Sequence, residues 1–221
     1  MKPLIIAIDG PSGAGKGTVA RAVAAALEYR HVDSGAMYRA VGWKASRDGV
    51  ALDQEAAVAK VAKESVINVS ATAVTIDGLD VTRQIRTPEI DRAAASVARL
   101  PRVREVLVAR QREIGSAGRI VMEGRDIGTV VFPAADIKVY LDASPDERAR
   151  RRANDPAHSV GPARVAEIAT LMTERDRSDQ TRTASPLYAA DDAVVIDTTG
   201  RSIDEVVKRV LEIVRSKSEG F

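Results

Sequence analysis

The sequence predicts an α/β fold: a doubly wound parallel sheet of about five strands built around a phosphate loop, with a small antiparallel β insert and a mobile lid. Three observations predict it. The apolar run at 4–8 (LIIAI) leads straight into the glycine-rich stretch GPSGAGKGT, and apolar residues at helical spacing follow that stretch. Similar short apolar runs recur along the chain with helical patterns between them. These runs are near-continuous rather than alternating, as in strands covered on both faces.

The elements follow in order. Val19, Val23 and Leu27 hold one face of the helix after the loop. A weaker β-like run sits at 31–33 (HVD). Residues 65–87 break the alternation: they are rich in Val, Ile and Thr and carry an Asp77–Gly78 turn, which predicts an insert of two or three antiparallel strands. The sheet resumes at 119–122 (RIVM), 137–141 (IKVYL) and 193–196 (AVVI). Residues 153–163 (ANDPAHSVGPA) place two prolines and a glycine between helical patterns and predict a mobile loop at the top of the molecule. Ile203, Val206, Val207, Val210, Leu211 and Val214 form one face of a last helix, with Ser202 as its N-cap. Ligands of such a sheet bind beyond the C-terminal strand ends.

Composition narrows the function. A chain of 221 residues, 45% hydrophobic and only 3% aromatic, fits one domain with an aliphatic core. A formal charge of +2 is too even for a general nucleic-acid binder, and few aromatics are present to stack on bases. Basic function must therefore come from local arginine clusters. The absence of cysteine excludes disulfide and thiolate chemistry, and His31 and His158 are too far apart to suggest a metal cluster. Asp9 interrupts the first apolar run too early for a signal peptide, and no run approaches the roughly 20 apolar residues of a membrane span. The expectation is a cytoplasmic protein with no membrane or nucleic-acid partner.

Four stretches carry chemistry. In the first, Gly10, Pro11, Ser12, Gly13, Ala14, Gly15, Lys16, Gly17 and Thr18 match G-x-x-x-x-G-K-[ST], except that Gly17 fills the hydroxyl slot and Thr18 follows it. Missing side chains let backbone N–H groups close around phosphate oxygens, the next helix points its positive end at them, and Lys16 neutralises charge. The bland alternative is a glycine-rich turn that binds nothing. The G-K-G-T order is more like the loop of nucleoside monophosphate kinases than that of GTPases, so the metal-facing hydroxyl comes from Thr18 or acts through water.

The second stretch is DSGAMYR, in which Ser34 can cap a helix and shares a face with Tyr38, while Arg39 can grip a phosphate bidentately. Taken alone it could equally be a capped helix with a surface arginine. The third, EGRDIGTVVFP, crowds Glu123, Arg125 and Asp126 at a strand end, where an acid can hold a metal's water shell and an arginine can bind phosphate. The fourth is a pair of arginine faces: Arg148, Arg151 and Arg152, then Arg175, Asp179 and Arg182. Most charged helix faces are merely solvated. Two of them hinged about a Pro/Gly loop look like a lid that brings positive charge to a transferring phosphoryl group.

Together these stretches resemble the bacterial cytidylate kinases over essentially the whole chain. The resemblance rests on IDGPSGAGKGT, DSGAMYR, the β-rich insert, ASVARLPRVRE, GRDIGTVVFP, LDAS and ERDRSD with TR following, in that order. It implies ATP as donor, CMP or dCMP as acceptor, Mg²⁺ as cofactor and a monomer. By position, Ser34, Tyr38 and Arg39 would belong to the CMP site. Ser96, Arg104 and Asp126 would read cytosine, Arg125 and Arg182 would bind the acceptor phosphate, and Arg175 and Asp179 the ribose side. Lys16, Arg125, Arg148, Arg152 and Arg182 would supply the positive charge of catalysis, with Thr18 and Glu123 near the metal. The chain would divide into a core (1–35, 116–147 and 176–221), an acceptor lobe holding the insert (36–115) and a lid (148–175). Two other readings remain open: another small-molecule kinase on this fold, such as one for dephospho-coenzyme A or shikimate, and a nucleotide-binding module without turnover. The insert disfavours the former, and the N-K-x-D motif of a switch GTPase is absent.

Overall fold

The computed structural model describes residues 3–155 and 165–218. In chain order the first half contains β1 (Ile5–Asp9), α1 (Lys16–Leu27), β2 (Arg30–Asp33), α2 (Ser34–Arg47), α3 (Glu55–Glu64), β3 (Ile67–Val69), β4 (Val74–Ile76), β5 (Leu79–Asp80), α4 (Pro88–Val97) and α5 (Pro101–Gly115). The second half contains β6 (Ile120–Gly124), a π-helical turn (Ile127–Val131), β7 (Ile137–Asp142), α6 (Pro145–Ala153), α7 (Val165–Thr181), β8 (Val194–Asp197) and α8 (Ile203–Ser218). Among the described residues no helix is long and apolar enough to cross a membrane.

Five parallel strands form the main sheet in the order β2-β6-β1-β7-β8. The two central strands explain the continuous apolar runs: β6 is buried throughout, and β1 is buried from Ile6 to Asp9. The run at 193–196 departs from that expectation. It forms an edge strand, and Val195 is 60% exposed because no layer covers its outer side. One sheet face packs on α1 and α8 through Ile6, Ile8, Val19, Val23 and Val210. The other holds Ala7, Val32, Met122 and Ile127.

A separate apolar cluster joins α2 to α5 with the insert, through Met37, Val41, Val58, Ile76, Ile85 and Leu107. The insert is a three-stranded antiparallel sheet, β3-β4-β5. Asp77 and Gly78 connect β4 to β5 with φ of 51° and 80°, the pair of left-handed residues that a tight hairpin turn of this hand requires. Lys44 of α2 then ties the insert down, 3.1 Å from Asp77.

Caps follow the sequence with one correction. Ser202 and Glu205 cap each other at the start of α8, as a capping box. At α2, Asp33 is the cap, accepting from the Ala36 N–H at 3.0 Å, and Ser34 is already the first helical residue. Its hydroxyl instead donates to the Glu123 carbonyl at 2.6 Å, tying β2 to the end of β6. The loop predicted at 153–163 falls mostly outside the described residues; Ala153 ends α6 and Asn154 caps it.

Candidate active site

The C-terminal ends of β1, β2 and β6 open onto one continuous cleft of about 900 Å³, lined by the glycine loop, α2, the tip of the insert and arginines from α6 and α7. The loop can take its shape only with glycine. Gly10 has φ +145°, and a Cβ there would lie 2.0 Å from the Leu141 carbonyl oxygen. Gly15 caps α1 in a left-handed conformation with no side chain in the way, so the first N–H groups of α1 face the cleft.

Lys16 begins α1 and is buried, its ammonium donating to the Pro11 carbonyl at 2.6 Å. Burial, reinforced by the nearby Arg125 guanidinium, pushes its pKa down to about 7. Its surroundings in the loop thus leave Lys16 short of negative charge. At the end of β1, Asp9 accepts from the N–H groups of Ile127 at 2.8 Å and Gly128 at 2.7 Å. Burial raises its pKa to about 6, although those two donors pull it back. Asp9 therefore locks the π-helical turn to the loop, so that Arg125 and Asp126 stand at a fixed distance from it.

On the α2 side, Tyr38 lies beneath Arg104, whose guanidinium carbon is 5.4 Å from the ring centroid. Burial raises the Tyr38 phenol to about 12. Arg104 donates to Asp126, to the Ser185 hydroxyl at 3.1 Å and to the Ala98 carbonyl at 3.3 Å. Arg39 pairs with Asp33 at 2.7 Å. Burial alone would raise the Asp33 carboxyl, but Arg39 and the Ala36 N–H outweigh it and hold it low.

The predicted arginines are each tethered to an acid. Arg125 donates to Asp179 at 3.0 Å, and Arg182 lies 3.4 Å from Asp179 and 3.9 Å from Asp126. Burial works against the Asp179 carboxylate, yet Arg125, Arg175 and Arg182 keep its pKa lowered. Arg148 is buried against Asp176 and donates to the Ser12 carbonyl at 3.1 Å, so it braces the glycine loop directly. Arg152 pairs with Asp91. Among the described lining residues, arginine and lysine outnumber aspartate and glutamate by twelve to six.

Most of the predicted site residues line this cleft; Gly10 and Pro11 at the start of the loop, Arg148 behind it and Ser96 do not. Ser96 is exposed on α4 and donates to its own helix at the Arg92 carbonyl, 3.2 Å away, whereas Ala95 lines the cleft. One residue is a rotation of about 100° on a helix, enough to turn the hydroxyl away. Asp9, Asp91 and Asp176 were not singled out by the sequence. Asp9 alone carried a local signal, as the acid between β1 and the first loop glycine.

A divalent cation has a reasonable place here. Thr18 is exposed in the cleft beside the loop, and the Glu123 carboxylate would lie 3.1 Å from a Cβ on Gly17, which keeps that approach open. His31 fixes one Glu123 oxygen at 3.1 Å. No cluster of three or more metal-binding side chains occurs among the described residues. Mg²⁺ is ordinarily held by one or two protein oxygens plus substrate phosphates and retained waters, and the Thr18 hydroxyl and Glu123 carboxylate supply oxygens of that kind in the cleft.

Comparisons with known proteins bear on the family and the fold. The family model described as cytidylate kinase matches residues 6–216. Similar curated proteins include the cytidylate kinase of Desulfitobacterium hafniense (strain Y51), 48% identical with 99% of this chain and 95% of that protein covered. Another is the cytidylate kinase of Solibacter usitatus (strain Ellin6076), 46% identical with 98% and 94% covered. Among solved structures, a gluconokinase from Sinorhizobium meliloti 1021 shares the fold at a TM-score of 0.53 and 15% identity, covering 99% of this chain and 95% of that one.

Proposed function

The chain belongs to the cytidylate kinase family, and from that premise we propose that it transfers the γ-phosphoryl group of ATP to CMP or dCMP, yielding ADP and CDP or dCDP. The observation that carries the choice of acceptor is the Arg104–Asp126 pair over Tyr38, in the same cleft as the phosphate loop. Cytosine presents N3 and O2 as acceptors and an N4 amino group as donor. A guanidinium has five N–H donors. Arg104 spends three on Asp126, Ser185 and Ala98, leaving two for the base. Asp126 accepts from N4. Ser96 has no part in this reading.

ATP lies with its phosphates in the glycine loop. Lys16 follows the γ-phosphoryl charge, Arg148 braces the loop, and Arg125, Arg152 and Arg182 face the transferring group. Arg39 with Arg125 and Arg182 grips the acceptor phosphate, and Arg175 and Asp179 lie toward the ribose. Mg²⁺, held through Thr18 and Glu123 with water, would neutralise phosphate charge. Phosphoryl transfer needs positioning and charge neutralisation more than a strong base. Residues 36–115 would act as the acceptor lobe, and 148–175 as the lid.

Coupled-assay turnover of ATP against CMP, dCMP, UMP, AMP and GMP tests the reading. CMP and dCMP are expected to dominate, and preference for a purine nucleotide would sink it. Lys16 supplies a second check. With a pKa of about 7 it is mostly neutral in the free protein at pH 8, whereas triphosphate oxygens restore its charge. Binding of ATP at pH 8 should therefore take up close to one proton, and at pH 6 almost none. Calorimetry in buffers of different ionisation enthalpy measures this; identical apparent enthalpies at pH 8 would contradict it.

A further inference from the structure

Helix α4 carries a carboxylate that no sequence motif marks. Asp91 lies in its first turn, 9% exposed, and its two oxygens face arginines from two other helices. Arg152, in the last turn of α6, donates from Nη2 to Oδ2. Arg175 of α7 holds Nη1 3.5 Å from Oδ1. Both arginines line the cleft, while Asp91 stands behind them, outside its lining. A second tie, Arg99 Nη1 to Ser178 Oγ at 3.0 Å, joins the end of α4 to α7.

We propose that Asp91 is a positioning residue for the transfer reaction: it fixes Arg152 so that its remaining N–H groups face the phosphoryl group in passage, and with the same carboxylate it holds Arg175 on the ribose side of the acceptor. The inference deepens the function proposed above and rests on it. A guanidinium is a rigid fork on a flexible stem, so anchoring one edge orients the rest. The anchor also comes from the helix whose inner face, at Ala94, Ala95 and Ala98, forms the acceptor side of the cleft. One carboxylate thus registers two cleft-lining cations, Arg152 and Arg175, against the acceptor wall. Without it, Arg152 and Arg175 would be left beside Arg39 and Arg125, and like-charge repulsion would scatter them.

Positioning has a kinetic signature that a purely structural role lacks. Asp91→Ala removes orientation but also removes a negative charge, so the attraction of the cleft for anionic substrates survives. The expected result is a kcat lower by about 10- to 100-fold, with KM for ATP and CMP within about threefold of wild type. Asp91→Glu, which keeps the charge, should recover most of the loss, and the isosteric Asp91→Asn only part. In an Arg152→Met background the further effect of Asp91→Ala on kcat should shrink to a few-fold, because the two residues act as one unit. Wild-type kcat in Asp91→Ala overturns the proposal alone. So does a loss expressed as raised KM and lowered Tm that persists in full in the Arg152→Met background. Absence of CMP and dCMP turnover in the wild type would overturn the transfer reading, and this proposal with it.

Discussion

Lys16→Met is expected to lower kcat by about 10²–10³-fold while raising the melting temperature of the ligand-free protein at pH 6. The rate term follows from charge: the ammonium tracks the γ-phosphoryl group into a transition state in which negative charge is spread over its oxygens, and loss of one such contact typically costs about 3–4 kcal/mol. The stability term has the opposite sign. Burial depresses the pKa of Lys16 from 10.5 to about 7, so the folded state disfavours the charged form. Stability present above pH 10.5 is lost as pH falls toward about 7, and the full penalty applies below that. An uncharged side chain of similar length escapes the penalty. Melting curves and turnover of the same variant decide the matter: a variant that is both active and no more stable would remove Lys16 from the phosphate site.

Discrimination between CMP and UMP should exceed about 10²-fold in kcat/KM, and Arg104→Met should collapse it mainly by losing CMP activity. Uracil presents N3–H where cytosine has an acceptor, and O4 where cytosine has an amino group. The first would meet the donors of Arg104 and the second the carboxylate of Asp126. Each mismatch leaves a buried polar group unpaired, at about 1–3 kcal/mol apiece. Arg104 is 4% exposed and Asp126 5%, so water cannot readily repair either. Comparable use of UMP by the wild type, or an unchanged ratio in Arg104→Met, would remove this pair from base recognition.

Most of the sheet was legible because its signal is local. An apolar run followed by a glycine loop and a helical pattern needs no knowledge of distant residues, and Asp77–Gly78 announced its own turn. The edge position of β8 was not legible, since AVVI reads alike whether or not a layer covers it. In the site, Asp126 stood out in its own stretch, whereas Arg104 and Ser96 were legible only through the family resemblance, and Ser96 lies outside the cleft lining by the angular step of a single residue. Asp91 and Asp176 were invisible for another reason. Their partners Arg152 and Arg148 lie 61 and 28 residues away, and an acid on a helix reads as solvated until the fold brings a cation to it. The π-helical turn likewise depends on Asp9, 118 residues from the Ile127 N–H that it accepts.

The twelve-to-six excess of basic over acidic side chains around the cleft carries a long-range consequence, because the whole chain has a formal charge of only +2. Outside the cleft lining the acids outnumber the bases, with Asp9, Asp91 and Asp176 in the interior among them, so positive charge is concentrated at the cleft. A free nucleotide approaching from solution feels that charge beyond contact range, over roughly the 8–10 Å that physiological salt leaves unscreened. Encounter is thereby directional: small phosphates are drawn to one opening, at a rate that falls as salt is added.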